Sequence, residues 1–232
     1  MAAPSYDAFA AVYERWSAHM TEDVAWYTEL VRAADGPVVE LAVGTGRVAV
    51  PAARATGKRI LGLDVSAEML AHARAAVAEA GVDVELRQGD MRDLELDEPA
   101  ALVTCPFRSL LHLPTWADKR RVFERVSASL QPGGRFAWNA FVFDHRIAAE
   151  NDGVHQVHNG IGHVVHHHPY DNRLDIVLDG GASTSLWWVT RSEWEGLIDV
   201  GGLEVESLHG GFAGEPFGEG STEFVWVVRK PV

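Results

Sequence analysis

The stretch VVELAVGTGRVAV, residues 38–50, decides how the rest of the chain is read. Val38, Val39 and Leu41 make a short apolar run of strand length that carries Glu40 to its end. Gly44 and Gly46 then let the backbone turn tightly into a helix and let a ligand approach with no Cβ in the way. Such a turn is a nucleoside site. With Ala49 in third place, the same residues also satisfy the G-x-G-x-x-G/A pattern of dinucleotide binders. The turn alone therefore leaves two kinds of cofactor open.

On either side of this segment, short apolar runs alternate with amphipathic ones, which predicts a parallel sheet with helices on both faces. The spacing predicts strands at Val38–Val43, Arg59–Asp64, Val82–Gln88, Ala101–Cys105 and Arg135–Phe141. Helices are expected near 47–56, 67–80 and 115–130, with Gly81, Gly133 and Gly57 offering the left-handed conformation that closes a helix. Upstream, residues 5–33 read as two helices, because Tyr6, Phe9, Tyr13 and Trp16 fall near one face and Val24, Tyr27 and Val31 repeat similarly. Thr21 is a candidate cap for the second, with Glu22 and Asp23 favouring its positive end.

Beyond residue 142 the pattern changes. Residues 144–172 are rich in His, Asn and Gly with weak periodicity, and alternating segments follow at Arg173–Leu178 and Ser183–Val189. An antiparallel insertion or lid over 144–189 is expected. Thr190 and Glu193 form a capping box that opens a short helix ended by Gly201 and Gly202. Two last strands, Leu203–Leu208 and Glu223–Arg229, are joined by a Gly-rich loop.

Composition narrows the class. A chain of 232 residues with 47% hydrophobic and 23% charged residues suits one folded domain, here expected to span 1–232 with residues 1–35 as a helical cover. No apolar run approaches the roughly 20 residues that cross a bilayer, and the start MAAPSYDAFA lacks a signal-peptide pattern, so a cytoplasmic protein without a membrane partner is expected. The single cysteine, Cys105, excludes internal disulfides and a Cys-rich zinc site. A formal charge of −13 disfavours nucleic acid as a partner. The only basic cluster, Lys119 to Arg121, reads as a solvated face of an exposed helix.

Three further features bear on the cofactor. The second strand ends in Asp64, whose carboxylate can accept hydrogen bonds from both ribose hydroxyls, although dinucleotide binders share this. The third strand ends in Gln88-Gly89-Asp90-Met91, which sets an acceptor beside an apolar side chain, as an adenine requires. Gln131-Pro132-Gly133-Gly134 turns a helix into a strand, and the chain closes with a hairpin in place of a sixth parallel unit. In these residues the sequence resembles the class I S-adenosylmethionine-dependent methyltransferases from about Tyr6 to Lys230. Glu40, Gly44 and Gly46 match the first motif, Asp64 the ribose binder, and Asp90 and Met91 the adenine contact. The resemblance implies a Rossmann-like α/β fold, a seven-stranded mixed sheet in order 3-2-1-4-5-7-6, with the seventh strand antiparallel. It departs from the family at Pro99, Ala100 and Ala101, where many members have an acidic residue. Ala42, Val65, Met69, Cys105 and Phe107, which flank the motif residues, complete the expected cofactor-binding set. S-adenosylmethionine is the expected cofactor and S-adenosylhomocysteine its product. More ordinary roles remain open: Glu40 capping a loop, Asp64 capping the helix at Ser66, and Asp90 shaping a turn.

The segment Val103 to Leu113 should lie at the carboxyl edge of the sheet and floor the acceptor pocket. It looks like that of small-molecule methyltransferases, particularly N-methyltransferases of amino sugars and glycine. By that resemblance His112 orients or deprotonates the acceptor, since a neutral imidazole accepts a proton near pH 7. A structural hydrogen bond to the helix start is the competing reading. Arg108 and Ser109 are expected to bind substrate. So are Tyr6 and Trp16, as part of an aromatic cover in which Tyr13 is the candidate catalytic member; an ordinary core-facing stripe explains the same spacing. The histidines at 155, 158, 163, 166, 167 and 168 invite a metal, yet no acidic partner is spaced as in zinc signatures, so a polar lid and no metal are expected. The sequence thus points to a methyltransferase acting on a small molecule, possibly an amine, as monomer or homodimer. Left standing are an NAD-dependent oxidoreductase and a protein of the same fold that uses the cofactor without methyl transfer.

Overall fold

A computed structural model describes Arg15, Trp16 and residues 21–232. Helix α1 (Glu22–Ala33) leads into β1 (Val38–Leu41), α2 (Ala49–Thr56), β2 (Ile60–Asp64), α3 (Ala67–Ala80) and β3 (Val84–Gln88). The chain then forms β4 (Ala100–Cys105), α4 (Trp116–Ser129) and β5 (Leu130–Phe141). After α5 (His145–Asn151) come β6 (His155–His158), β7 (Ile161–His168), β8 (Arg173–Leu178) and β9 (Ser183–Trp187). Helix α6 (Arg191–Val200) and strands β10 (Glu204–His209) and β11 (Glu223–Arg229) end it.

The main sheet has seven strands in the order β3-β2-β1-β4-β5-β11-β10. Strands β1 to β5 pair in parallel, and β11 runs antiparallel to both β5 and β10. This is the order that the methyltransferase resemblance implies. Parallel strands are buried on both faces, and their alternate residues feed two cores. Val38, Ile60 and Leu102 pack with Val31, Ala52, Ala53 and Leu70 of α1 to α3. Val39, Val103, Phe136, Trp138 and Trp226 pack on the other face with Val122, Phe123 and Trp194 of α4 and α6. Trp138 stacks between Phe136 and Trp226 at centroid distances of 4.8 and 5.9 Å.

The second sheet, β6-β7-β8-β9, is wholly antiparallel. Its face bearing Ile161, His163, Leu174, Leu178 and Thr184 is buried, whereas Val157 on the other face is exposed.

Local expectations are met or corrected for identifiable reasons. Gly57 and Gly81 close α2 and α3 in the left-handed conformation, and the Thr190–Glu193 capping box forms in full. Thr21 makes no side-chain cap, because its backbone lies in the αR region instead of the extended one from which an N-cap side chain reaches back. Gly133 ends no helix: α4 stops at Ser129 and Gly133, with φ of 75°, bends the start of β5. Lys119 is not solvated but buried, its Nζ donating to the Leu113 carbonyl. Residues 144–172 hold α5, β6 and β7, which weak periodicity concealed. Tyr6, Phe9 and Tyr13 lie outside the described residues. Among those described, no helix is long and apolar enough to cross a membrane.

Candidate active site at the carboxyl edge of the sheet

Parallel strands β1, β2 and β3 bring Glu40, Asp64 and Asp90 to the same edge of the sheet. Glu40 pairs in register with Gly62 on β2 and Thr104 on β4, and Asp64 with Gln88 on β3. The turn after β1 folds back onto the end of β2, where the Gly44 amide donates to Asp64 Oδ2 at 2.8 Å. The Ser66 amide donates to Asp64 Oδ1 at 2.8 Å, and Ser66 Oγ caps α3 by accepting from the Met69 amide. Asp64 thus links the glycine turn to the start of α3. Capping and ligand reading are compatible here, because each carboxylate oxygen has a second lone pair.

Gly44 and Gly46 take φ of 55° and 83°, and Ala42 takes 53°. A Cβ on Gly46 would lie 2.9 Å from Val50 Cγ2, while one on Gly44 would meet only the Ala42 carbonyl at 4.0 Å. Gly46 is therefore required by packing. At Gly44 the space a Cβ would occupy is open, next to the Asp64 carboxylate that its amide contacts, so a ligand can approach the backbone there. Val65 projects outward, 53% exposed, while Met69 is buried in α3.

Glu40 sits beneath this turn and is only 4% exposed. Burial pushes its carboxyl up to about 8, against the pull of Arg47 and the Ala49 amide. Arg47 is itself held by Asp23 through a bidentate pair at 2.7 and 2.5 Å, and its guanidinium lies 4.5 Å above the Phe107 ring. With Arg47 already paired to Asp23, the buried Glu40 carboxyl is suited to receive a cationic group from a ligand.

At the end of β3, Gln88 donates to the Val65 carbonyl at 3.1 Å. Asp90 is partly exposed, caps the turn Met91–Asp93 and pairs with Arg92 at 2.6 Å, which holds its carboxyl below the usual carboxylate range. Met91 packs against the core formed by β4 and α4.

The segment after β4 forms the neighbouring wall. Cys105 is fully buried and its thiol is pushed up by burial, so it acts as packing rather than as a nucleophile. Phe107 and Arg108 adopt left-handed φ of 60° and 63°. Arg108 is bound to Glu223, and Ser109 Oγ donates to the Pro106 carbonyl at 2.6 Å, so both expected substrate groups already serve the turn. His112 Nδ1 donates to the Ser185 carbonyl of β9 at 3.2 Å. Burial and the nearby Lys119 charge push the ring down to about 4, against the Ser185 bond. At neutral pH the ring is thus uncharged, with its lone pair on Nε2.

Around Trp16, the rings of His158 and His163 stand at 5.1 and 4.9 Å. Of the others in that segment, His155 pairs with Asp179 and His168 with Asp175, both at 2.9 Å, and His167 lies 3.5 Å from Asp152. Among the described residues no three His, Cys, Asp or Glu side chains gather as metal ligands.

Residues 38–134 match the family described as "Methyltransferase domain". That stretch begins with the strand bearing Glu40 and ends at Gly134, within the start of β5. Over this stretch the chain is similar to S-adenosylmethionine-dependent methyltransferases of class I. It is 27% identical over 218 residues to dTDP-3-amino-3,6-dideoxy-alpha-D-glucopyranose N,N-dimethyltransferase of Streptomyces fradiae, covering 80% of this chain and 79% of that one. It is 28% identical over 228 residues to a Streptomyces cypemycin N-terminal methyltransferase, covering 89% and 88%. Among solved structures it superposes on the CcbJ methyltransferase of Streptomyces caelestis with a TM-score of 0.81 at 24% identity, covering 99% and 98%. For a class I methyltransferase the antiparallel β11 is the expected closure, and the dinucleotide alternative left by the glycine turn is not favoured.

Sequence reasoning missed several polar residues at this edge. Asp23, Asn139 and Glu223 are all buried in the same neighbourhood. The available signal was a polar residue inside an otherwise apolar strand, as Asn139 is in Phe136–Phe141.

Proposed function

We propose that this chain is a class I methyltransferase that transfers the methyl group of S-adenosylmethionine to the amine of a small molecule, with amino sugars the first class to test. The observation that carries the reading is the linked set Glu40, Gly44 and Asp64, in which one carboxylate braces the glycine turn and another lies buried beneath it. The curated relatives support the acceptor class, since dTDP-amino-sugar N,N-dimethyltransferases recur among them.

In this reading Asp64 receives the ribose hydroxyls, Asp90 and Met91 the adenine, and Glu40 the charged end of the methionine moiety. Ala42, Gly44 and Gly46 supply close backbone approach, Val65 and Met69 the apolar flank, and Cys105 and Phe107 the floor. When bound, the cofactor supplies an electrophilic methyl carbon on a sulfonium. This chain's residues then have to exclude water, align the acceptor and keep its nitrogen unprotonated. His112 suits alignment better than proton removal, because a ring pushed down to about 4 is a weak base but still accepts a hydrogen bond through Nε2. Arg108 and Ser109 act by shaping the wall, and the 144–189 insertion, on which Trp16 packs, is its lid.

The test is a labelled-methyl assay with a panel of amino-sugar nucleotides, simple amines and peptides bearing a free N-terminus. Transfer to amino-sugar nitrogen supports the proposal. Transfer confined to hydroxyl or carbon acceptors contradicts it, and transfer confined to peptide termini moves the acceptor class to that of the cypemycin relative.

A further inference from the structure

The turn that follows β4 is held by a closed circuit of buried polar groups. Two successive residues with side chains, Phe107 and Arg108, occupy the left-handed region, which L-residues avoid because Cβ crowds the following carbonyl. Such a pair persists only where its surroundings over-determine it. Here the Phe107 amide donates to Asn139 Oδ1 at 2.8 Å, and the same oxygen accepts from the Tyr27 hydroxyl at 3.1 Å. Asn139 Nδ2 donates to Glu223 Oε2 at 3.2 Å. Glu223 Oε1 accepts from Arg108 Nε at 2.9 Å and also from Nη2. The circuit leaves the chain at Phe107 and returns at Arg108.

Each member comes from a different element: Tyr27 from α1, Asn139 from β5, Glu223 from the first position of β11. Asn139 and Glu223 are 4% and 9% exposed, so an unmet partner there finds little water. The Asn139 amide must also face one way, because its oxygen serves two donors and its nitrogen serves a carboxylate. Outside the circuit, the Arg47 guanidinium covers the Phe107 ring and Arg108 lies 5.5 Å from the centroid of Phe141. The short helical turn Ser109–His112 begins directly after Arg108, so the direction of the left-handed pair sets where His112 stands.

We infer that Asn139 and Glu223 are positioning residues for methyl transfer: they fix the Phe107–Arg108 turn, and through it the acceptor wall and His112, against the cofactor edge of the sheet. The inference rests on the methyl-transfer reading given above. Glu223 also neutralises Arg108, so that Arg108 serves as a strut instead of a clamp for substrate phosphate or carboxylate. Neither Asn139 nor Glu223 touches the reacting atoms.

The test compares wild type with Asn139→Ala, Glu223→Gln, Arg108→Met and the double variant Arg108→Met/Glu223→Gln. Three readouts are taken: S-adenosylhomocysteine affinity, kcat and KM for the acceptor, and hydrogen exchange of peptides covering residues 106–113 and 38–50. The expected result is kcat reduced about tenfold or more in Asn139→Ala and Glu223→Gln, the loss expected when a buried charged hydrogen bond is broken, with product affinity within about threefold of wild type. Exchange should rise at 106–113 and stay unchanged at 38–50. The double variant should lose no more than the worse single variant, because both changes open the same circuit. Unchanged kcat with unchanged exchange at 106–113 overturns the inference, as does additive loss in the double variant. If Asn139→Ala fails to fold, the near-isosteric Glu223→Gln and its double variant decide alone. If wild type transfers methyl to no amine, the functional reading fails first, and exchange at 106–113 still shows whether the circuit holds the turn.

Discussion

Glu40 is the most informative single side chain, because its ionisation is tied both to stability and to ligand charge. Its carboxyl is pushed up to about 8 in the folded protein, against an ordinary value of 4.5. Below 4.5 both folded and unfolded chains hold the proton, so the raised value contributes no pH dependence there. Between 4.5 and 8 the unfolded chain releases it and the folded one does not, and stability falls as pH rises through that window. Glu40→Gln should therefore raise the melting temperature relative to wild type at pH 8, with the gap closing towards pH 4.5; an equal gap at both pH values would contradict the burial argument. His112 shifts the other way, from 6.5 down to about 4, and stability associated with it is lost as pH falls from 6.5 through 4. A rate profile corrected for acceptor protonation should show no inflection near pH 6.5 attributable to His112. If such an inflection appears and His112→Asn removes it, the ring is a titrating base and the alignment role is wrong.

Among the elements, β2 owes its place to Gly62. A Cβ there would stand 2.8 Å from Val43 Cγ2 and 3.0 Å from Leu86 Cδ2, between the glycine turn and β3. Gly62→Ala should cost about 1–3 kcal/mol in chemical denaturation, the usual penalty for overpacking a filled core. Thr190→Ala, which breaks the capping box of α6, should cost about 1 kcal/mol; no loss in either variant would contradict the packing and the cap described. These features differ in how visible they are in sequence. The capping box is local, so Thr190 and Glu193 announce it. Strands β1, β2 and β4 are equally plain, since burial on both faces writes nearly continuous apolar runs such as Ala100–Val103, whereas the edge strand β3 alternates Val84 and Leu86 with Glu85 and Arg87. The second sheet is opaque for the opposite reason: β7 alternates Ile161, His163, Val165 and His167 on its inner face, where histidines replace the apolar residues that would reveal the period. Asn139, Glu223 and Asp23 come together only through pairing of β5 with β11 and packing of α1, contacts that no spacing along the chain encodes. The cofactor edge was legible because its residues cluster at successive strand ends. On the acceptor side the sequence singles out His112 and Arg108 by position alone, and the Glu223 partner of Arg108 lies 115 positions away, beyond the reach of any local spacing.

Across the molecule, two sheets divide the labour. The seven-stranded sheet sets Glu40, Asp64 and Asp90 along one edge, and the antiparallel sheet reaches over through Ser185 to His112. The account stands or falls on the first of these, the nucleoside cradle. Its most direct test is titration calorimetry of the full chain with S-adenosylhomocysteine and, separately, NAD, repeated on Asp64→Ala. The account predicts micromolar binding of S-adenosylhomocysteine, none of NAD, and a loss of about 10–100-fold in the variant, as expected when two hydrogen bonds to a charged group are removed. Binding of NAD in place of S-adenosylhomocysteine, or an Asp64→Ala affinity equal to wild type, would contradict it.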